Sequence, residues 1–357
     1  MSASGLNPRL SLLSKASRKA VGLSEQGLIR SELLVPGTTL PLLVQPAVEG
    51  LNLAAWAESN RGFIETSLSS NGGMLFRGFH VAGVADFEKF ISNLSGTLLE
   101  YKDPTSPRSK VSGNIYTSTD YPPEHRIPLH NENSYSHTWP LKLFFFCVVA
   151  PREGGETPIA DVRKVFQRIS PETRAMFIEK QVMYVRNFGD GFGLSWQSVF
   201  GTEDKRAVEE NCREQGIEFE WKDGGRLRTR QVRRAVARHP RTGEMVWFNH
   251  GAFFHVSTLE PSIRDVLLSE FSYDDLPYNT FYGDGSAIES EVLDEIRDAY
   301  AQETVVFPWQ AGDVLLLDNM LAAHARMSYS GPRKIVVGMS EPFDESDLEQ
   351  VSRGQER

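Results

Sequence analysis

The run LFFFCVVA (143–150) is the most apolar stretch of the chain, and it stops at Pro151. It is far shorter than the about 20 residues that cross a bilayer, so it reads as a strand, with Lys142 extending it to 142–150. Four other segments share its character: GGMLFRGFHV (72–81), EMVWFNHG (244–251), DVLLLDN (313–319) and RKIVVGMS (333–340). Each is rich in β-branched or aromatic residues and is bounded by Gly, Pro or Asp. Helical spacing appears between them. Phe87, Phe90, Ile91 and Leu94 mark a helix over 86–96, and Ile288, Val292, Ile296 and Tyr300 mark another over 287–303. A third is expected from Val162 to about Gln181, and a charged surface helix over 203–216. Strands and helices do not alternate regularly, which argues against a doubly wound parallel sheet. The expected fold is mainly β with helical insertions, a β-sandwich or jelly roll with helices packed outside.

The chain's 357 residues could make two domains. No repeat or low-complexity linker divides them, so one domain is expected over 31–345, with a helical insertion at about 162–235. A flexible arm (1–30) would precede it and a tail (346–357) would follow. The first 24 residues hold Arg9, Lys15, Arg18 and Lys19, many serines and no acid, a composition shared with organelle transit peptides. A poorly ordered arm on a cytoplasmic protein is the reading adopted. Cys147 and Cys212, the two cysteines, cannot build a disulfide framework or a thiolate metal site, which fits a reducing compartment. A net charge of −9 disfavours general nucleic-acid binding, which needs basic surface. No membrane association is expected either.

The chemistry centres on LHNENSY (129–135). If this run is a strand, His130 and Glu132 lie two apart and face the same way. A histidine and a carboxylate are two legs of a metal site. One more histidine completes the facial triad of non-heme iron(II) oxygenases, which leaves coordination positions open. Of the eight histidines, His80, His125 and His137 lie too early in the chain, leaving His239, His250, His255 and His324. His324 has the best context, between an apolar strand opened by a Gly-Asp turn and the turn SYSGP (328–332). Arg333 then opens the last strong strand, where its planar fork could grip a carboxylate. In GGETPIAD (154–161), Thr157 alternates with Ile159 and Asp161, and an inward hydroxyl there could hold the other oxygen of the same carboxylate.

The order His130, Glu132, Thr157, His324, Arg333 resembles the taurine dioxygenase (TauD/TfdA-like) superfamily of Fe(II)/2-oxoglutarate enzymes. The match covers roughly residues 70–342. Glutamate at 132 is similar to clavaminate synthase. The runs GFGLSWQSVFGT, LRTRQ and HPRTGEMVWFNHGAFFH resemble the SyrP-like branch, whose members hydroxylate amino-acid units during nonribosomal peptide assembly. The resemblance implies a double-stranded β-helix, a cupin-like jelly roll. It implies Fe(II) held by His130, Glu132 and His324, and 2-oxoglutarate anchored by Thr157 and Arg333. O₂ would be the second cosubstrate. It also puts Asn249 near the substrate.

Arg126, four residues before His130, is a candidate partner for a substrate carboxylate. Arg326, two after His324, either points inward or balances nearby acids. His250 and His255 are read as packing or substrate-lining residues. The segment 226–241 carries seven arginines. It would either dock an acidic partner, such as a carrier-protein domain, or pair internally with the acidic segments 203–220 and 289–298. The expected function is hydroxylation of an aliphatic C–H on an amino acid or carrier-tethered aminoacyl unit, in antibiotic-type specialised metabolism. Desaturation, epoxidation or cyclisation at the same iron, and a non-catalytic jelly-roll binding protein, are the alternatives. Oligomeric state is left open.

Overall fold

In the computed structural model, which describes residues 27–100, 108–189, 191 and 193–348, the apolar run at 142–150 is the middle of a longer strand, Thr138–Val149. That strand is central. Val314–Asp318 pairs with it on one side and Lys334–Asp344 on the other, both antiparallel. Period two sends Phe144 and Phe146 to one face and Phe145 and Cys147 to the other. Because both faces are covered, no polar residue interrupts the run.

The first face packs, together with Leu316 and Val336, against Trp56, Ile64, Phe87 and Phe90. These come from the helices Leu53–Ser59, Arg61–Asn71 and Val84–Ser95. Gly338 lies on the same sheet at the closest approach of a helix. A Cβ there would sit 2.6 Å from Ile91 Cδ1 and 2.9 Å from Leu98 Cδ2. The second face, with Leu315, Leu317, Ile335 and Val337, packs against Ile159, Phe307, Trp309 and Ala322.

The large sheet runs Ile29–Leu33, Leu42–Pro46, Gly73–Phe76, Val314–Asp318, Thr138–Val149, Lys334–Asp344, Ile115–Thr117, Lys110–Ser112. It is antiparallel except where Leu42–Pro46 meets Gly73–Phe76. The smaller sheet runs Thr304–Val305, Ile159–Asp161, Ala322–Arg326, Ile127–His130. Two sheets sharing one core, with helices outside the larger, make the expected jelly roll.

The segment 162–235 holds helices and also three strands. Val182–Phe188, Glu218–Trp221 and Leu227–Arg233 join Tyr278–Tyr282 in a separate four-stranded sheet. The single helix expected over 162–181 is two, Val162–Arg168 and Pro171–Lys180. Pro171 has no N–H for a continuing helix, and Ser170 Oγ instead caps the second one by accepting from Thr173 N at 3.3 Å. In 244–251 only Met245–Trp247 is strand, and the helix Gly251–Phe254 begins before the segment ends. Of the arm expected over 1–30, residues 1–26 lie outside the described residues, and Ile29 and Arg30 already belong to the strand Ile29–Leu33; of the tail expected over 346–357, residues 349–357 lie outside them, and 346–348 are helical. No helix among the described residues is long and apolar enough to cross a membrane.

Phe144 is fully buried, with its ring 5.9 Å from that of Phe90. Phe144→Ala is expected to cost about 3–5 kcal/mol through lost burial and a residual cavity. The check is the chemical-denaturation midpoint, with metal affinity measured in parallel and expected to hold, since the site lies on the other face.

Candidate metal centre

Strand pairing brings the two distant histidines together. Ala322–Arg326 lies between Ile127–His130 and Ile159–Asp161, and His324 stands opposite His130 in register. Their ring centroids are 4.3 Å apart. His130 Nδ1 lies 2.8 Å from Pro128 O, which can only accept, so Nδ1 carries the proton and the Nε2 lone pair is free. His324 Nε2 faces Glu132 Oε2 at 3.8 Å. One donor atom from each of His130, Glu132 and His324 lies within 4.8 Å of the others.

Glu132 arrives by a different route from the one its spacing suggests. The strand ends at His130, and the chain turns through Asn133, whose φ is 56°. Strand alternation therefore does not align the pair. The buried side chain of Asn319 does. Its Oδ1 accepts from Glu132 N at 2.8 Å, and its Nδ2 donates to Glu132 O and Pro140 O, each at 2.9 Å. Asn131 Nδ2 donates in turn to Asn319 O at 2.6 Å. Asn319 follows the strand Val314–Asp318 directly, so the loop bearing Glu132 is bolted to the large sheet.

Glu132 is buried and paired with Arg108, whose Nη2 lies 2.8 Å from Oε2. Burial first, then the neighbouring charges of His130 and Arg108, hold His324 well below the usual imidazole range. Burial likewise lowers His130, against the opposing pull of Glu132. Both rings are therefore neutral and ready to donate lone pairs. Two neutral imidazoles and one carboxylate suit a borderline-to-hard divalent ion such as Fe(II).

Next to this cluster lies a place for a dianion. Arg333 donates from Nε to Gly155 O at 2.9 Å and from Nη1 to Ser118 Oγ at 3.3 Å. Among the described residues no carboxylate pairs with it, and burial, then the nearby Arg326, pushes it down to about 10. Thr157 Oγ1 accepts from Trp309 Nε1 at 3.1 Å, which leaves its own proton to donate. Thr157, Arg333, His130, Glu132 and His324 all line one cavity of about 1010 Å³, at the upper end of the range for small-molecule sites.

The remaining candidates separate. Arg126 lines the cavity and is exposed. Arg326 points inward, but three backbone carbonyls take its donors: Tyr121, Pro122 and His125, each at 2.6 Å. It shapes the cavity wall rather than balancing acids. Asn249 is not on the cavity wall. Its Nδ2 donates to Ala235 O and its Oδ1 accepts from Gly251 N, each at 2.8 Å, so both ends of the amide serve backbone. The neighbouring His250 lines the cavity instead, with Nδ1 2.6 Å from Ser134 Oγ.

The arginines of 226–241 are largely engaged within the chain. Arg228 pairs with Asp275, Arg234 with Glu345, and Arg241 with Glu65 and Glu341. Arg228 and Arg230 also reach Glu220 at 3.9 Å, the one partner among these that lies in the expected acidic segments. Arg108, Asn319 and Trp309 were not singled out from sequence. Asn319 had a visible signal, Asp-Asn closing an apolar strand five residues before His324, whereas Arg108 sits in an irregular segment with none.

Comparison with known proteins agrees with this geometry. Residues 38–339 match the family described as Taurine catabolism dioxygenase TauD, TfdA family. The dapdiamide synthesis protein DdaC of Enterobacter agglomerans is 41% identical over 279 residues, spanning 78% of this chain and 85% of that protein. A clavaminate synthase-like protein of Arabidopsis thaliana is 29% identical over 315 residues, spanning 85% and 89%. Among solved structures, PvcB of Pseudomonas aeruginosa superposes with a TM-score of 0.56 at 16% identity, over 91% of this chain and 96% of that one. It shares the fold.

Two outcomes follow from the geometry. Asn319→Ala strips the bolt from the Glu132 loop and is expected to weaken Mn(II) binding about 10- to 100-fold by anaerobic calorimetry. The second concerns pH. His250 and His324 are held well below 6.5 by burial, and His255 is lowered to about 4 by burial and then by Arg297. As pH falls below 6.5 the unfolded chain takes up protons that the folded chain refuses. The metal-free protein should therefore keep full stability above that point and lose it progressively toward pH 4, as read by urea titrations at about pH 7.5 and about pH 5.

Proposed function

This chain belongs to the TauD/TfdA family of Fe(II)- and 2-oxoglutarate-dependent dioxygenases, and on that basis we propose that it hydroxylates an aliphatic C–H of an amino acid or aminoacyl unit in specialised metabolism. The observation that carries the site assignment is the convergence of His130, Glu132 and His324 within 4.8 Å in the cavity that Arg333 also lines, a guanidinium that pairs with no carboxylate among the described residues. The metabolic setting is supported by the similarity to a protein of dapdiamide synthesis.

In this reading His130, His324 and Glu132 would hold the iron, and Thr157 and Arg333 would hold the far carboxylate of 2-oxoglutarate. With O₂, the bound metal and cosubstrate supply the oxidation: 2-oxoglutarate becomes succinate and CO₂, and one oxygen atom enters the substrate. The chain's own work is positional. His130 Nδ1–H donates to Pro128 O, which fixes the ring's orientation. Arg108 neutralises the buried carboxylate, and Asn319 fixes its loop. Trp309 turns the Thr157 proton toward the cosubstrate. His250 and Phe253 pack beside His130, with ring centroids 5.6 Å and 5.2 Å from it.

We assign Arg126, exposed on the cavity wall, as a guide for an anionic substrate. Arg326 acts through the segment it holds, and Asn249 through the turn it caps. The engagement of the 226–241 arginines favours a small-molecule substrate over carrier docking at that segment. The carrier-bound form is decided by assay.

Succinate formation with Fe(II), 2-oxoglutarate and a panel of free and carrier-bound amino acids tests the proposal. His130→Ala should fall to background. Arg333→Gln should raise the KM for 2-oxoglutarate about 10- to 100-fold, the worth of a charged hydrogen-bonded pair. Equal turnover by wild type and His130→Ala would sink the assignment.

A further inference from the structure

His250 is 2% exposed, yet it lines the cavity that holds His130, Glu132 and His324. Its backbone is fixed from both sides. His250 N donates to Tyr184 Oη at 2.8 Å, and His250 O accepts from Phe254 N at 2.9 Å. Three uncharged rings pack around the imidazole: Tyr135, Phe253 and Phe254, with centroids 5.0, 5.2 and 4.8 Å away. Nδ1 lies 2.6 Å from Ser134 Oγ. Nε2 has no hydrogen-bond partner among the described residues, but it is not shut away from solvent-accessible space, as the partnerless His324 Nδ1 is. That open nitrogen faces the cavity. His255, the other buried histidine of the wall outside the metal cluster, differs: Ser257 Oγ at 2.7 Å and Tyr273 Oη at 2.9 Å occupy both of its nitrogens.

The hydrogen bonds assign the imidazole proton. Burial first, then His130, hold the ring well below the usual imidazole range, so it is neutral, with hydrogen on one nitrogen and a lone pair on the other. Ser134 is buried and off the cavity wall, and among the described residues its hydroxyl has no partner but Nδ1. Were the proton on Nδ1, the hydroxyl hydrogen would be buried without an acceptor, which is costly. The hydroxyl therefore donates to Nδ1, and the imidazole proton sits on Nε2. His250 thus shows the cavity a single neutral N–H donor within an aromatic collar, its ring 5.6 Å from that of His130. A carboxylate seated among those rings would keep an uncompensated buried charge. A neutral carbonyl oxygen accepts the hydrogen bond without that cost.

We propose that His250 Nε2–H binds the carbonyl oxygen of a neutral acyl group in the substrate, an amide or a thioester. The inference rests on the oxygenase reading above and narrows its substrate from an amino acid or aminoacyl unit to the acylated form. His250 is then a specificity-determining residue. It holds the acyl carbonyl beside the metal cluster, so that a C–H near that carbonyl is the one presented for oxidation, and it disfavours the free acid by offering no positive charge.

The test uses the full chain loaded with diamagnetic Zn(II) and saturating 2-oxoglutarate, with nitrogen-labelled histidines followed by NMR and the His250 signals identified by their loss in His250→Gln. The probes are the primary amide and the N-acetylcysteamine thioester of L-alanine, L-leucine and L-lysine. The controls are each free acid and the matching decarboxylated amine, which lacks the carbonyl. At neutral pH His250 should carry its proton on Nε2, and the acyl probes should shift that N–H signal. For the side chain that binds best, the acyl probes should bind about 3- to 10-fold more tightly than the amine, the worth of one hydrogen bond. His250→Phe should erase that margin, and His250→Gln, whose amide can place an N–H near the position of Nε2, should keep part of it. Both variants should hold Zn(II) and 2-oxoglutarate as wild type does. The proposal is overturned if the proton is on Nδ1, if no acyl probe shifts the Nε2–H signal, if the amine binds as tightly, if the free acid binds more tightly than both acyl forms, or if His250→Phe keeps the margin or loses Zn(II) to the same degree. Failure of the oxygenase reading would look different: wild type would not bind 2-oxoglutarate in a Zn(II)-dependent way, with the His250 tautomer still read as above.

Discussion

Asn319 commits its side-chain amide to backbone groups of the turn that carries Glu132 and of the strand that follows it. That buried side chain decides where the only carboxylate of the metal cluster can be. The two imidazoles need no such help, because antiparallel pairing of their strands sets them 4.3 Å apart. A carboxylate on a turn has no sheet register to fix it, and burying it adds a desolvation cost that only a cation or metal can offset. Asn319 therefore supplies what the secondary structure does not. Its own position is secured in turn, since Asp318 accepts from Met320 N at 3.0 Å and pairs with the buried His239 at 3.1 Å. Large sheet, turn and metal cluster form one connected set of bonds.

Electrostatics makes this region unlike the rest of the protein. Arg108 balances Glu132, whereas Arg333 and Arg326 pair with no carboxylate among the described residues; burial lowers both, and Arg326 lowers Arg333 further. Arg326 satisfies its donors on neutral carbonyls, which relieves hydrogen-bonding need without cancelling charge. The result is a positive field on the part of the cavity wall that Arg333 and Arg326 form. A dianionic cosubstrate removes that excess, while burial and the separate charge of Arg108 disfavour protonation of His130 and His324.

Much of this was legible before any coordinates. The apolar runs at 142–150, 313–319 and 333–340 became adjacent strands of one sheet because β-branched and aromatic residues without interruption can only be buried on both faces. His324, Thr157 and Arg333 were readable because each sits at a strand or turn boundary that the sequence punctuates with Gly, Asp or Pro. The reason given for His130 and Glu132 was incorrect: the strand stops at His130, and a left-handed Asn133 turns the chain. Period-two reasoning presumes that a strand continues, and nothing in Asn-Glu-Asn fixes where it ends. Arg108 and Asn249 were not predictable in role, since an arginine in an irregular segment and an amide near a turn acquire their partners only through tertiary contact. The arginine-rich segment shows the same limit. Its charge was evident, but its partners Asp275, Glu345, Glu65 and Glu341 come from distant parts of the chain.

A site that buries several cations and neutral imidazoles around one carboxylate does not stabilise the protein by itself. Its stability must come from elsewhere, and the architecture shows where. The large sheet presents phenylalanines and aliphatic residues to helices on one face and to the shared core on the other. The small sheet is short, and beside His324 its central strand carries alanines at 322, 323 and 325, so its packing leaves room rather than filling it. The two histidines are placed on the short sheet, and the Glu132 loop is held by bonds to the large one. Ligands that bind only the folded state then add stability in proportion to their occupancy. The metal and cosubstrate complete a charge arrangement that the polypeptide leaves unbalanced, which is the physical reason a binding-competent site can persist in a fold it does not itself support.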